Sequence, residues 1–228
     1  MCTKALLLVC VFVITFNNAS STLSVAETAK DTRSITITIP RHVSMEGRGV
    51  SFTRWGKACC PSGSNLVYSG YAAGGFFNQK GNGANYLCMP TDPEYLSSAA
   101  PRTRSLLYGA EYQPYDSKIF ATNVHDYNVP CVVCNAPTKS TALMIPTMVN
   151  CPAGWNREYY GYLTAEKYNH QRNVAYECLD FDPDGIPGTS QDTNGALFYF
   201  VALRQCNRGL PCGPYQAGKA VSCVICTK

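Results

Sequence analysis

The chain has 228 residues, 13 of them cysteine, with 19 Lys and Arg against 15 Asp and Glu for a formal net charge of +4. Hydrophobic residues make up 46% and charged residues only 15%, against roughly 25% charged in ordinary soluble domains. That balance excludes a disordered chain, and so mild a charge excludes nucleic acid as a partner. The length allows one or two domains.

At the start of the chain Lys4 precedes an apolar run over residues 5–16, ALLLVCVFVITF, which is followed by Asn17, Asn18, Ala19 and Ser20. This reads as a secretory signal peptide over residues 1–20, cleaved near residues 19–21. The run is shorter than the ~20 apolar residues that span a bilayer, so no stable membrane insertion is expected. The mature protein is therefore expected to be secreted and extracellular, in an oxidising setting that favours paired cysteines. Removing Cys2 and Cys10 leaves eleven, an odd number, so one cysteine is expected to be free or bonded to another chain. The single N-glycosylation sequon, Asn18-Ala19-Ser20, falls at the cleavage region.

Residues 21–49 form a polar N-terminal segment. Within it SITITIP (34–40) places Ile35, Ile37 and Ile39 on alternate positions. Period two predicts a strand with one apolar face, ended by Pro40, that packs on its own domain or reaches a neighbouring subunit.

From residue 50 the sequence repeats itself. Cys60-Pro61 recurs as Cys151-Pro152 and Tyr68, Gly70 and Tyr71 recur as Tyr159, Gly161 and Tyr162, each at an offset of 91. Tyr86 and Cys88 recur as Tyr176 and Cys178 at an offset of 90, and CVVC (131–134) recurs as CVIC (223–226) at 92. The order and near-constant offset predict a tandem duplication, with a first repeat over residues 50–141, a second over 142–228 and a short join at 142–148. Residues 65–68, 105–108 and 196–202 and both CVxC segments are rich in Val, Leu, Tyr and Phe, which predicts short strands and an all-β fold of mainly antiparallel pairs. Residues 157–173 are the best helix candidate, weakened by Gly161.

The CxxC pairs have three readings: a redox site, a four-cysteine zinc site, or structural disulfides. The intervening Val132-Val133 and Val224-Ile225 favour a strand rather than a strand-to-helix redox turn, and secretion weighs against zinc. On a strand, positions i and i+3 point to opposite faces, so Cys131 and Cys134 should not bond each other. Each CxxC strand is expected to tie down both earlier cysteines of its own repeat. Cys206 and Cys212 flank a segment able to close a turn.

These residues carry a family resemblance. CPSGSNLVYSGY, YLC, CVVC, then CPAGW, YYGY, FYFVALRQCNRGLPC and CVICTK resemble the duplicated C-terminal non-collagenous domain of type IV collagen. With FTRWG (52–56) and ANYLCMPTDPEY, the chain is more similar to the same domain of invertebrate short-chain, spongin-type collagens. The resemblance covers about residues 50–228. It implies two tandem pseudo-symmetric repeats with nested bridges, Cys60–Cys134, Cys88–Cys131, Cys151–Cys226 and Cys178–Cys223, together with Cys206–Cys212. Cys59 is then left over as the unpaired or inter-chain cysteine, able to exchange roles with its neighbour Cys60. The resemblance also implies a homo-oligomer, trimeric or hexameric. No Gly-X-Y repeat occurs, so the family role of aligning collagen chains does not apply.

Other residues offer weaker signals. Asp180, Asp182 and Asp184 with Gly185 match the opening of a calcium loop. Gln191 stands where the bidentate Glu belongs and Pro183 and Pro187 intrude, so an Asp-Pro turn is the preferred reading over a metal site. His42, His125 and His170 lie in no metal or nucleophile motif, no GxSxG occurs, and neither an enzyme nor a cofactor is expected. The aromatics Tyr68, Tyr71, Phe76, Phe77, Trp155, Tyr159, Tyr160 and Tyr162 are numerous enough to stack on sugars. Phe76, Phe77, Asn78, Asn82 and Asn85, in GGFFNQKGNGAN (74–85), form a ligand-loop candidate whose plainer reading is a surface hairpin over core aromatics. Arg54-Trp55 reads as a cation over an indole or as a linker anchor. The expected function is structural or adhesive: an extracellular-matrix-associated protein that self-associates, with matrix proteins or glycans as partners. A soluble lectin-like protein that binds glycans in defence or adhesion is the alternative.

Overall fold

Alternating burial along the aromatic and β-branched runs produces strands throughout. The computed structural model describes residues 49–96, 99–115, 118–204, 209–211 and 213–228. Ten strands follow in order: β1 (Gly49–Trp55), β2 (Asn65–Gly74), β3 (Leu87–Pro90), β4 (Tyr108–Tyr112), β5 (Pro130–Pro137), β6 (Ala142–Pro146), β7 (Asn156–Ala165), β8 (Glu177–Asp180), β9 (Ala196–Phe200) and β10 (Ser222–Thr227). No helix occurs among the described residues, and the fold is all-β. The signal segment, the strand expected at residues 34–40 and the Cys206–Cys212 bridge lie outside the described residues.

Three local expectations change. Residues 157–173 open with strand β7, not a helix. There Tyr159, Gly161 and Leu163 are buried in alternation, so period two wins over helix propensity. Gly161 is needed because a Cβ there would overlap the backbone carbonyl of Leu179, and Gly70 stands in the same relation to the Met89 carbonyl. The strand expected at 105–108 begins only at Tyr108. Asn82 Oδ1 accepts hydrogen bonds from the Leu106 N–H at 2.8 Å and the Ser105 hydroxyl at 3.1 Å, which holds that stretch off the ladder. The join at 142–148 is itself largely strand β6, paired antiparallel with β10.

The pairings of β1 to β5 recur in β6 to β10. β2 pairs with β3, β4 and β5, and β5 with β1; β7 pairs with β8, β9 and β10, and β10 with β6. All of these are antiparallel. Two further pairings join the halves, and both are parallel: β1 with β8 at Trp55 and Leu179, and β4 with β9 from Ala110 and Ala196 onward. They close the seven-stranded ring β7-β8-β1-β5-β2-β4-β9, a barrel to which neither half contributes a complete wall. Closure removes the open edges that each half would otherwise expose. Both halves fall within one compact unit, Glu46–Lys228.

Two buried clusters form. One takes Trp55, Tyr112, Cys131, Leu179 and Phe198 from five strands of the ring. The other takes Phe52, Cys134, Tyr159, Leu163 and Cys223. Phe52 and Trp55 on β1, like Cys134 and Cys131 on β5, are three residues apart and so serve different clusters. Bridges Cys60–Cys134, Cys88–Cys131, Cys151–Cys226 and Cys178–Cys223 are present, with Cα separations of 5.7, 5.8, 5.8 and 5.7 Å. They are the nested pairs that the resemblance implies. Cys59 is disulfide-bonded as well, so the expectation that it is unpaired is corrected: the cysteine parity does not leave this residue as a thiol.

Candidate functional site

The loop that opens like a calcium site, Asp180 to Gly185, is held by cations. Arg54 Nε donates to Asp180 at 2.8 Å, and Lys57 Nζ reaches Asp184 at 3.0 Å and Asp182 at 3.2 Å. Burial by itself lowers the Lys57 pKa; its hydrogen bonds to Asp184 and Asp182 outweigh that and raise the pKa overall. Asp180 also accepts the Asp182 N–H at 3.0 Å, an Asx-type turn. Among the described residues the acidic groups that converge are others, Glu111, Asp126 and Asp192. Buried Glu111 already accepts from the Thr193 hydroxyl and the Thr193 and Asn194 N–H groups, so it works as a strut for that turn.

The ligand-loop candidates pack against the other half. Phe76 and Phe77 contact each other at 4.8 Å between ring centroids, and Phe77 meets His170 at 4.7 Å. Arg172, nearly fully buried, donates to the carbonyls of Gly83 and Asn85 and lies 3.6 Å from Glu166, which His170 Nδ1 meets at 2.8 Å. Asn82 is used by Ser105, Leu106 and Gln79, Asn85 bonds the Tyr86 carbonyl, and Asn78 is exposed. The loop is therefore a clasp between halves, with few groups left to bind a ligand.

The proposed sugar-stacking aromatics separate. Tyr159 is only 4% exposed and belongs to the core. Tyr160 and Tyr162 of β7 instead join Phe181, Phe200 and Phe120 in a half-exposed row. Centroids are 5.3 Å apart for Tyr160 and Phe181, 5.6 Å for Tyr162 and Phe200, and 5.4 Å for Phe120 and Phe200. Arg157 lies 4.8 Å over Tyr160.

A cavity of about 330 Å³ opens beside Glu177. Phe52 and Trp55 of β1, Tyr86, Met144 of β6 and Tyr159 of β7 line it with Glu177, the first residue of β8. The Trp55 indole N–H donates to Glu177 Oε2 at 3.0 Å. Burial raises the Glu177 pKa, and the Trp55 hydrogen bond only partly offsets it. Burial also pushes the phenols of Tyr86 and Tyr159 upward, which keeps both neutral. No ion pair involves Glu177 among the described residues.

A carboxyl whose pKa is raised on folding makes stability fall as pH rises from the ordinary carboxylate value through its folded value, because the unfolded chain ionises first. Glu177→Gln keeps an acceptor for Trp55 and removes the buried charge. Its melting temperature at pH 7 is expected to exceed that of the native protein, and the gap is expected to close at pH 4. Calorimetry at both pH values checks this, and an unchanged gap would contradict it.

The sequence does carry a sign of Glu177. Tyr86-Leu87-Cys88 recurs as Tyr176-Glu177-Cys178, so a carboxylate replaces a leucine at one aligned strand position. Nothing local shows that Trp55, 122 residues away, will meet it. The four bridges fit an extracellular setting, and among the described residues no helix is long and apolar enough to cross a membrane. A search against family models finds no family that matches the chain.

Proposed function

We propose that the chain is a secreted, non-enzymatic structural or adhesive protein of the extracellular matrix whose disulfide-clamped β-domain associates with further copies of itself. The observation that carries this reading is an exposed apolar surface on the β2–β3 hairpin. On β2 Leu66, Val67 and Tyr71 are 60%, 57% and 50% exposed, and Leu87 on neighbouring β3 is 44% exposed. Exposed apolar groups clustered on one hairpin mark interaction surfaces. The resemblance to self-associating non-collagenous domains points the same way and supports reading the two halves as one duplicated module. The signal-like residues 1–20 supply the route to the cell exterior.

Sedimentation equilibrium under non-reducing conditions tests it. The native protein is expected to form a defined oligomer, and the variant Tyr71→Glu/Leu87→Glu to sediment as a monomer with unchanged circular dichroism. A native protein that is strictly monomeric at ~100 μM, a concentration that populates even weak dimers, overturns the reading.

The half-exposed row of Tyr160, Tyr162, Phe181, Phe200 and Phe120 favours a second reading, a soluble glycan-binding protein. Sugar-blockable binding on a glycan array that Tyr160→Ala abolishes supports it; a blank array supports the scaffold.

A further inference from the structure

We propose that the cavity beside Glu177 is a binding site for an organic ammonium group, carried either by a small free amine or by a lysine side chain of a partner protein. The reasoning starts from charge. Glu177 is largely withdrawn from water and has no cationic partner among the described residues. The cations nearby are committed elsewhere. Arg54 is bonded to Asp180, Lys57 to Asp182 and Asp184, and Arg172 to Glu166 and the Gly83 and Asn85 carbonyls. No lysine or arginine lines the cavity. A desolvated carboxylate facing open volume gains most from a cation that enters to meet it.

The walls select the kind of cation. Phe52, Trp55, Tyr86 and Tyr159 surround the space, with Met144 beside them. Aromatic walls around an anion favour alkylated or primary ammonium over a small hydrated metal ion, because the rings attract the cation and shelter its alkyl groups. Trp55 fixes one carboxylate oxygen through its N–H and leaves the second for the ligand. About 330 Å³ lies at the lower end of small-molecule sites and suits a quaternary ammonium head or the end of a lysine side chain. The first half has Leu87 at the aligned position, so the described residues hold one such site. A neutral sugar would leave the carboxylate charge unmet, and an anion would be repelled.

Trp55 provides the signal. The full chain carrying Trp155→Phe, which leaves Trp55 as the single tryptophan, is titrated with choline and with its uncharged isostere 3,3-dimethylbutanol while fluorescence is followed. Choline is expected to saturate with a dissociation constant of ~1 mM or below, and the isostere to bind about tenfold more weakly. Glu177→Gln is expected to weaken choline about tenfold and leave the isostere unchanged. A parallel titration with Nα-acetyl-lysine methylamide and its trimethylated form assigns the source: binding comparable to choline identifies a lysine side chain, and binding confined to choline identifies a free amine. Equal affinity for choline and its isostere, a Glu177→Gln variant with native circular dichroism that binds choline as tightly as the native protein, or no saturation with any of the cations overturns the proposal. Because sedimentation reads self-association separately, either proposal can fail without the other.

Discussion

Gly161→Ala is expected to destabilise the protein by ~3 kcal/mol or more, at the severe end for adding a single methyl group to a packed site. The added Cβ meets backbone, the Leu179 carbonyl and the start of the next turn, rather than a side chain that can swing away. Relief requires β7 and β8 to separate over the register that pairs Gly161 with Asp180 and Tyr162 with Leu179. That register also places Glu177 at the cavity and Leu179 beside Trp55. Gly70→Ala should behave alike, since its Cβ would overlap the Met89 carbonyl across the β2–β3 pair. Gly81, where an added methyl group would meet no atom within 4 Å, is the control, and Gly81→Ala is expected to stay within about 0.5 kcal/mol of the native protein. Guanidinium unfolding of the three variants measures the difference. Native-like stability in Gly161→Ala would refute the close approach of β7 and β8.

Removing the Cys151–Cys226 bridge with paired alanines is expected to cost up to ~4.5 kcal/mol. The chain-entropy relation gives that value for a closed loop with the 75-residue separation of the bridge, and ~4 kcal/mol for the 45-residue separation of Cys178–Cys223. The second bridge lies inside the first in sequence, so the outer bridge already shortens the loop that the inner one closes. Deleting both should therefore cost more than the two single losses together, since each single loss is read with the other bridge still constraining the chain. Cys223 and Cys226 are fully buried, so the truncated sites also lose packing. Denaturant unfolding without reductant provides the numbers. Strict additivity would show that the bridges act on independent segments.

Much of this was legible in the sequence because it is local or repetitive. Cys131 and Cys134, three apart on a β-branched strand, must face different sides, and the structure gives them to different buried clusters. The parallel spacing of Cys60, Cys88, CVVC and Cys151, Cys178, CVIC anticipates equal bridge patterns in the two halves. Strand ends were less legible. The polar and aromatic content of residues 157–173 fits a helix or a strand, and Gly161, which weakens the one, turns out to be required by the other. At Ser105 and Leu106, the side chain of Asn82 takes hydrogen bonds that a ladder would otherwise use, a competition that propensity does not register.

The all-β class, the division of each CxxC pair between the two sides of a strand and the positions at which one half echoes the other are written along the chain in its periodicity and spacing; the nested pairing came with the family resemblance. That the halves share one barrel appears only in the folded chain. Its seams, β1 with β8 and β4 with β9, are parallel pairs between distant segments, and they have no turn or spacing to announce them. The same seams bring Trp55 against Glu177 and leave a carboxylate in an aromatic cavity with no cation against it among the described residues. Thirteen cysteines mark the chain for covalent chemistry; its fold adds an acidic residue whose counterpart in the first half is a leucine.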